Sequence, residues 1–180
     1  LLSLPGMDDA AYRNFLATNY GASAVDALHA LYPPSQFPTP TDAAYLLLTE
    51  LVFGCPAEAL ARAAGSRGAS HLYLGTRSTR ADGYATHGGE FPYLMDTLEE
   101  RGIPVDQPAM DLRSALQSGF ATLAASPTLA PLVDAGSQGN FSWPAYDPAR
   151  PEVVEFGDQV RVINDYRNGR CATLAALLPP

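Results

Sequence analysis

A chain of 180 residues with 47% hydrophobic and 17% charged side chains has the length of one domain, and its apolar content excludes a wholly disordered polypeptide. Its formal charge of -8 argues against nucleic acid and anionic membrane surfaces as partners, since such binding is driven by clustered Lys and Arg, and the 11 cations here are scattered. No apolar run in the sequence approaches the ~20 residues that cross a bilayer, so no membrane span is expected.

The first helix is predicted after Asp8 or Asp9, either of which can cap it, with Tyr12, Phe15, Leu16 and Tyr20 at helical spacing and Gly21 as its end. A second helix is expected over residues 23–31. Residues 33–40 hold four prolines and read as a loop. Thr41 and Asp42 then cap a long apolar helix through Leu46, Leu47, Leu48, Leu51 and Val52, which Pro56 interrupts or restarts. Such general apolarity predicts burial on more than one side.

A strand is expected over residues 71–75. One parallel strand cannot satisfy its own backbone groups, and the chain scarcely supplies the sheet partners it requires. Asp111 is predicted to cap an amphipathic helix carrying Leu112, Leu116, Phe120 and Leu123. Residues 125–140 read as an irregular surface excursion. Val153, Val154 and Phe156, then Gly157-Asp158, then Val160 and Val162 predict two short strands around a tight turn, with a closing helix over residues 166–178. No internal repeat is apparent.

Three histidines are the candidates for proton-transfer chemistry, because imidazole titrates near neutral pH. His29 lies in a helical pattern and His71 begins a strand, so both read as structural or solvent-exposed. His87 differs: it lies just past an apolar segment in Thr86-His87-Gly88-Gly89-Glu90-Phe91-Pro92-Tyr93. Its glycines adopt backbone angles closed to other residues and let a ligand or another segment approach the ring. Read locally, the same stretch is also an ordinary surface turn. His87 and Glu90 would not suffice as a metal pair, since zinc sites draw three or four ligands and no further His or Cys cluster accompanies them.

In the same order, several segments resemble the C-terminal part of the type-B carboxylesterases, the cholinesterase-like branch of the α/β-hydrolases. Leu51-Val52-Phe53-Gly54-Cys55-Pro56-Ala57 and the alanine-rich residues after it resemble that family's helix ahead of its penultimate core strand. Ala69-Ser70-His71-Leu72-Tyr73-Leu74 matches the strand, and Thr86 to Tyr93 the loop carrying the triad histidine. Leu112 to Phe120 resembles the following helix, Trp143-Pro144-Ala145-Tyr146 the late W-P-x-Y turn, and Val153 to Val162 the hairpin after it. Departures are the polar Gly75-Thr76-Arg77-Ser78-Thr79-Arg80 after the strand, the short loop before the histidine, and Met95-Asp96 in place of an apolar-glycine ending.

The resemblance implies an α/β fold: the C-terminal part of an α/β-hydrolase, with residues 1–64 as its helical segment and 65–180 as the last core strand, histidine loop, closing helices and hairpin. It implies a carboxylic ester hydrolase in which His87 is the catalytic triad base, Glu90 supports the loop from behind the ring, and Tyr84 lines the substrate pocket. The nucleophile of such an enzyme sits in Gly-x-Ser-x-Gly, which occurs nowhere here, and no acid stands in the family's Asp-Glu-Gly setting. Serine, acid and oxyanion loop are therefore expected on an N-terminal portion of the same enzyme, as a second chain, which is the expected partner beside a small-molecule or lipid ester. The chain alone is expected to be inactive. Its start at Leu1-Leu2 fits a processed product or a fragment. No metal or organic cofactor is called for.

Alternatives remain open at this point. One is a catalytically inactive cholinesterase-like protein used for binding or adhesion, and another is an independent small acidic domain. Secretion is implied by the resemblance and by the sequon Asn140-Phe141-Ser142, an N-glycosylation acceptor pattern at Asn140, with a cytoplasmic location as the alternative. Cys55 and Cys171 could pair, but two cysteines do not establish a disulfide framework, and free thiols are the preferred expectation because the resemblance places their segments apart.

Overall fold

The structure is a computed structural model that describes residues 4–65, 69–78, 83–125, 131–164 and 169–178. Its contacts divide the chain into two compact units. One comprises Leu1–Ala59 with Arg167–Pro180, the other Leu60–Tyr166. The closing helix thus packs with the first helices, whereas a linear division at residue 64 groups it with the strands.

The first unit is helical. Helix α1 (Asp9–Tyr20) starts where the Asp8 carboxylate accepts the Ala11 amide and ends at Gly21, whose φ of 88° few other residues adopt. A short 3-10 turn leads into α2 (Val25–Leu31). Another, Pro34–Gln36, lies in the proline-rich connection. Helix α3 (Pro40–Thr49) begins two residues earlier than a Thr41 cap would place it. Thr39 is the cap and forms a reciprocal capping box with Asp42, leaving Pro40 at the first helical position, where its missing N–H costs nothing.

Pro56 does not end this helix. The chain widens into a π turn over Glu50–Gly54 and runs on as α4 (Cys55–Gly65), so the extra residue absorbs a proline that cannot donate to the ordinary ladder. The resulting helix, Pro40–Gly65, has 26 residues and a mean hydropathy of 1.4 over its best window, which is long and apolar enough to cross a membrane by length and composition. The sequence leaves Pro56 to interrupt or restart the helix, and the structure carries the helix through it. A core helix passes the same test, and its inner face here packs Ala43, Ala44 and Leu47 with Tyr12, Leu16, Leu28, Tyr32 and Leu174.

Helix α7 (Arg170–Leu177) is held to this core by a charged and a covalent tie. Arg170 donates from Nη2 and Nε to the buried Glu50 carboxylate at 2.6 and 3.0 Å, and the Tyr32 hydroxyl donates to the same group at 2.5 Å. Cys55 and Cys171 form a disulfide across 116 residues of sequence, correcting the expectation of free thiols: segments distant in the chain meet in this unit.

The second unit holds a three-stranded sheet in the order β1–β4–β5. Strand β1 (Tyr73–Gly75) pairs in parallel with β4 (Glu152–Phe156), which forms an antiparallel hairpin with β5 (Val160–Asn164). The chain therefore does supply one partner for its parallel strand. Between them lie the short α5 (Phe91–Leu94) and α6 (Gln107–Ala125). Helix α6 is capped by Asp106, which accepts the Ala109 amide at 2.8 Å, and Asp111 lies inside it rather than at its start. The stretch expected to be irregular contains a second hairpin, β2 (Leu132–Asp134) with β3 (Asn140–Ser142). Trp143 is the central core residue. Its ring meets those of Tyr73, Phe120 and Phe156 edge to face, and its indole N–H donates to the Leu72 carbonyl at 3.1 Å.

Candidate functional site

The site is built at the carboxyl ends of the two parallel strands, where open α/β sheets place their ligands. Gly75 and Phe156 are paired end residues of β1 and β4, and the Thr76 amide extends the ladder to the Phe156 carbonyl at 2.9 Å. Gly157 follows, and a side chain there would run into the Thr76 hydroxyl. Arg77 then locks the strand exit. Its Nε donates to the Tyr93 hydroxyl at 3.0 Å, its Nη2 to Asp106 at 2.8 Å, and its Nη1 to Asp158 on the β4–β5 turn. The polar run after the strand, a departure from the resembling pattern, thus has a structural use.

The His87 turn sits above these strand ends. The Gly89 amide donates to the Thr86 carbonyl at 2.8 Å, closing the turn, and the Phe91 amide donates to the Gly88 carbonyl at 3.2 Å, leading into α5. Both glycines are required. Gly88 has a φ of 75° and the Phe91 ring lies against it, while a Cβ on Gly89 would come 2.9 Å from the Thr86 carbonyl oxygen. The turn leaves His87 exposed. Thr86, Gly89 and Glu90 of the turn line a small cleft with Gly75, Arg77 and Phe156, whereas His87 and Tyr84 lie outside its lining.

Glu90 is half-buried at the start of α5. Its Oε1 accepts the Tyr73 hydroxyl at 3.0 Å, and its main-chain carbonyl accepts the Leu94 amide at 3.0 Å. Burial, together with the Glu90 charge, pushes the Tyr73 phenol up to about 12, so it remains a donor throughout the neutral range. Tyr73 and Arg77 were not singled out from sequence. The only signal for Tyr73 was its place in the strand facing Trp143, which local pattern does not reveal. Tyr84 is 46% exposed, and its carbonyl accepts the Ser78 hydroxyl at 2.7 Å.

The remaining residues stand elsewhere. Asn140 is exposed on β3. His71 donates from Nδ1 to the Pro144 carbonyl at 3.0 Å and is edge-on to Trp143, and His29 pairs with Asp9 at 2.7 Å. Among the described residues no group of three or more His, Cys, Asp or Glu side chains is placed to hold a metal ion.

No family profile matches the chain, and no curated protein matches it. Solved structures do. A thermophilic PNB esterase aligns over 97% of this chain and 35% of its own length, with a TM-score of 0.66 and 19% identity. An esterase of the anaerobe Clostridium hathewayi, described as able to hydrolyse aliphatic aromatic polyesters, aligns over 98% of this chain and 35% of its own, with a TM-score of 0.64 and 16% identity. A Geobacillus stearothermophilus carboxylesterase aligns over 92% and 36%, with a TM-score of 0.64 and 18% identity. The chain spans about a third of the length of these structures, and what it shares with them is the fold of part of a carboxylesterase-type α/β-hydrolase.

Proposed function

We propose that this chain is the C-terminal portion of a serine carboxylesterase and that His87 is its triad base. The observation that carries the reading is the His87 turn itself. It is exposed at the carboxyl ends of the parallel strands in a partial hydrolase fold, on two glycines that geometry demands. In the complete enzyme a serine from the N-terminal portion attacks the ester carbonyl. His87 takes the serine proton and returns it to the departing alcohol, which leaves an acyl-enzyme, and water then repeats the exchange. A carboxylate on the same N-terminal portion orients the imidazole. Glu90 supports the turn, and the exposed Tyr84 contributes to the wall of the ester pocket.

Two features bear on where the enzyme works. The Cys55–Cys171 disulfide suits an oxidising compartment, and the Asn140 sequon is on an exposed strand that a glycan can reach, both of which support secretion. The rival reading is a binding or adhesion protein on the same scaffold, and an intact Gly-x-Ser-x-Gly in the N-terminal portion decides against it. The test of the proposal is His87→Ala in the assembled two-part protein. Turnover of a p-nitrophenyl ester should fall by about 10^4-fold or more, and turnover equal to the parent's would reject the assignment.

A further inference from the structure

We infer that Tyr73 is a positioning residue for His87, its hydroxyl holding Glu90 and through it the turn that carries the imidazole. The inference rests on the reading of His87 as the base. Tyr73 stands on β1 with its ring fixed by edge-to-face contacts with Phe120, Trp143 and Phe156, at centroid distances of 5.8, 6.0 and 5.7 Å. Three rings from different elements leave the phenol little freedom, so its oxygen is a fixed point of the core. That oxygen donates to Glu90 Oε1 at 3.0 Å.

Glu90 cannot move alone. Its carbonyl accepts the Tyr93 and Leu94 amides, at 3.1 and 3.0 Å, which ties it to α5. On its other side Gly89 is bonded back to Thr86, with His87 between them. The bond from Tyr73 to the Glu90 side chain therefore anchors a backbone that is itself closed into one turn. The glycines that open the turn to substrate also deprive it of side chains with which to pack, so a polar tether to the core supplies what packing does not. Positioning of this kind acts on the chemical step, because a misplaced base lowers the fraction of bound substrate in reactive geometry.

The experiment is a double-mutant cycle in the complete esterase with p-nitrophenyl butyrate. Tyr73→Phe keeps the ring and removes the oxygen. It should lower kcat by about 10-fold with KM within about twofold of the parent. Glu90→Met, which keeps the length of the side chain and removes the acceptor, should lower kcat similarly, and the double variant should be no slower than the slower single variant, since all three break one tether. Unchanged kcat in Tyr73→Phe overturns the inference, as does a loss of thermal stability with kcat intact or a double variant in which the two losses multiply. If Tyr73→Phe fails to fold, Glu90→Met alone decides by the same split between kcat and KM. His87→Ala, run in parallel, separates the two claims. If it is inactive and Tyr73→Phe is silent, only the positioning role falls, whereas an active His87→Ala removes the parent reading.

Discussion

At position 89 the chain has no room for a methyl group, since a Cβ would lie 2.9 Å from the Thr86 carbonyl oxygen, which is backbone and cannot swing away. Gly89→Ala should therefore reshape the turn and cost about 1–3 kcal/mol of stability, the usual penalty for forcing atoms into filled space. Urea denaturation measures it. Asp96 poses the opposite case. It has a φ of 55°, where the resembling pattern ends in glycine, and it receives Arg113 at 2.7 Å. The left-handed backbone costs a non-glycine residue about 1–2 kcal/mol, and an exposed ion pair returns about 0.2–1 kcal/mol. Asp96→Gly should accordingly be neutral to stabilising by about 1 kcal/mol, while Asp96→Val, with a branched side chain and no ion pair, should be destabilising. Asp111 gives a pH signature. Hydrogen bonds from the Ser137 hydroxyl and amide, and from Gln107 and Gln138, hold its carboxyl down from 3.8 to about 2. A depressed folded value means stability that is complete above pH 4 and lost as pH falls towards about 2. Thermal melts between pH 5 and 2 should show the advantage of the parent over Asp111→Asn shrinking across that window.

Among the elements, α7 depends most on distant partners. Its Arg170 neutralises Glu50, a carboxylate only 4% exposed inside a π turn, and its Cys171 closes a disulfide with Cys55. Arg170→Ala should cost about 3–5 kcal/mol because it strands a buried charge. Reducing the disulfide, or replacing both cysteines with serine, should cost about 3–5 kcal/mol through the long loop it closes, as read by denaturation with and without reductant. The elements that sequence reveals are those whose signals are local. Asp8 and Gly21 bracket α1 because a cap and a left-handed end act within a few residues, and Gly157-Asp158 marks the β4–β5 turn for the same reason. Misreadings fall where a distant contact decides. Asp111 reads as a cap because its true partner is out of local reach: Ser137, 26 residues on, donates to it within α6, and Asp106 caps the helix instead. Strands β2 and β3 have three residues each and pair only with one another, so neither is long enough to show a period. The turn around His87 is legible from its glycines, whereas the Tyr73–Glu90 hydrogen bond joins residues 17 apart, beyond the reach of local pattern.

For the whole molecule, the decisive fact is that β1 has a partner on one side. Leu72 accepts from Val154 and Thr76 donates to Phe156, so the backbone groups of alternate residues, Tyr73 and Gly75, point to the opposite edge of the sheet. Among the described residues no strand lies on that edge. An unpaired edge is a template for another strand, and the chain covers only about a third of the structures it resembles. The N-terminal portion proposed above should supply that strand, bringing its serine to the same carboxyl ends at which His87 is exposed. Hydrogen exchange gives a residue-level test. In this chain by itself, the amides of Tyr73 and Gly75 should exchange much faster than that of Leu74, which the alternation turns towards β4. On addition of the N-terminal portion, the Tyr73 and Gly75 amides should become protected in step with the appearance of esterase turnover. Turnover without protection of these two amides would place the junction on another surface, and protection without turnover would favour the binding protein over the enzyme.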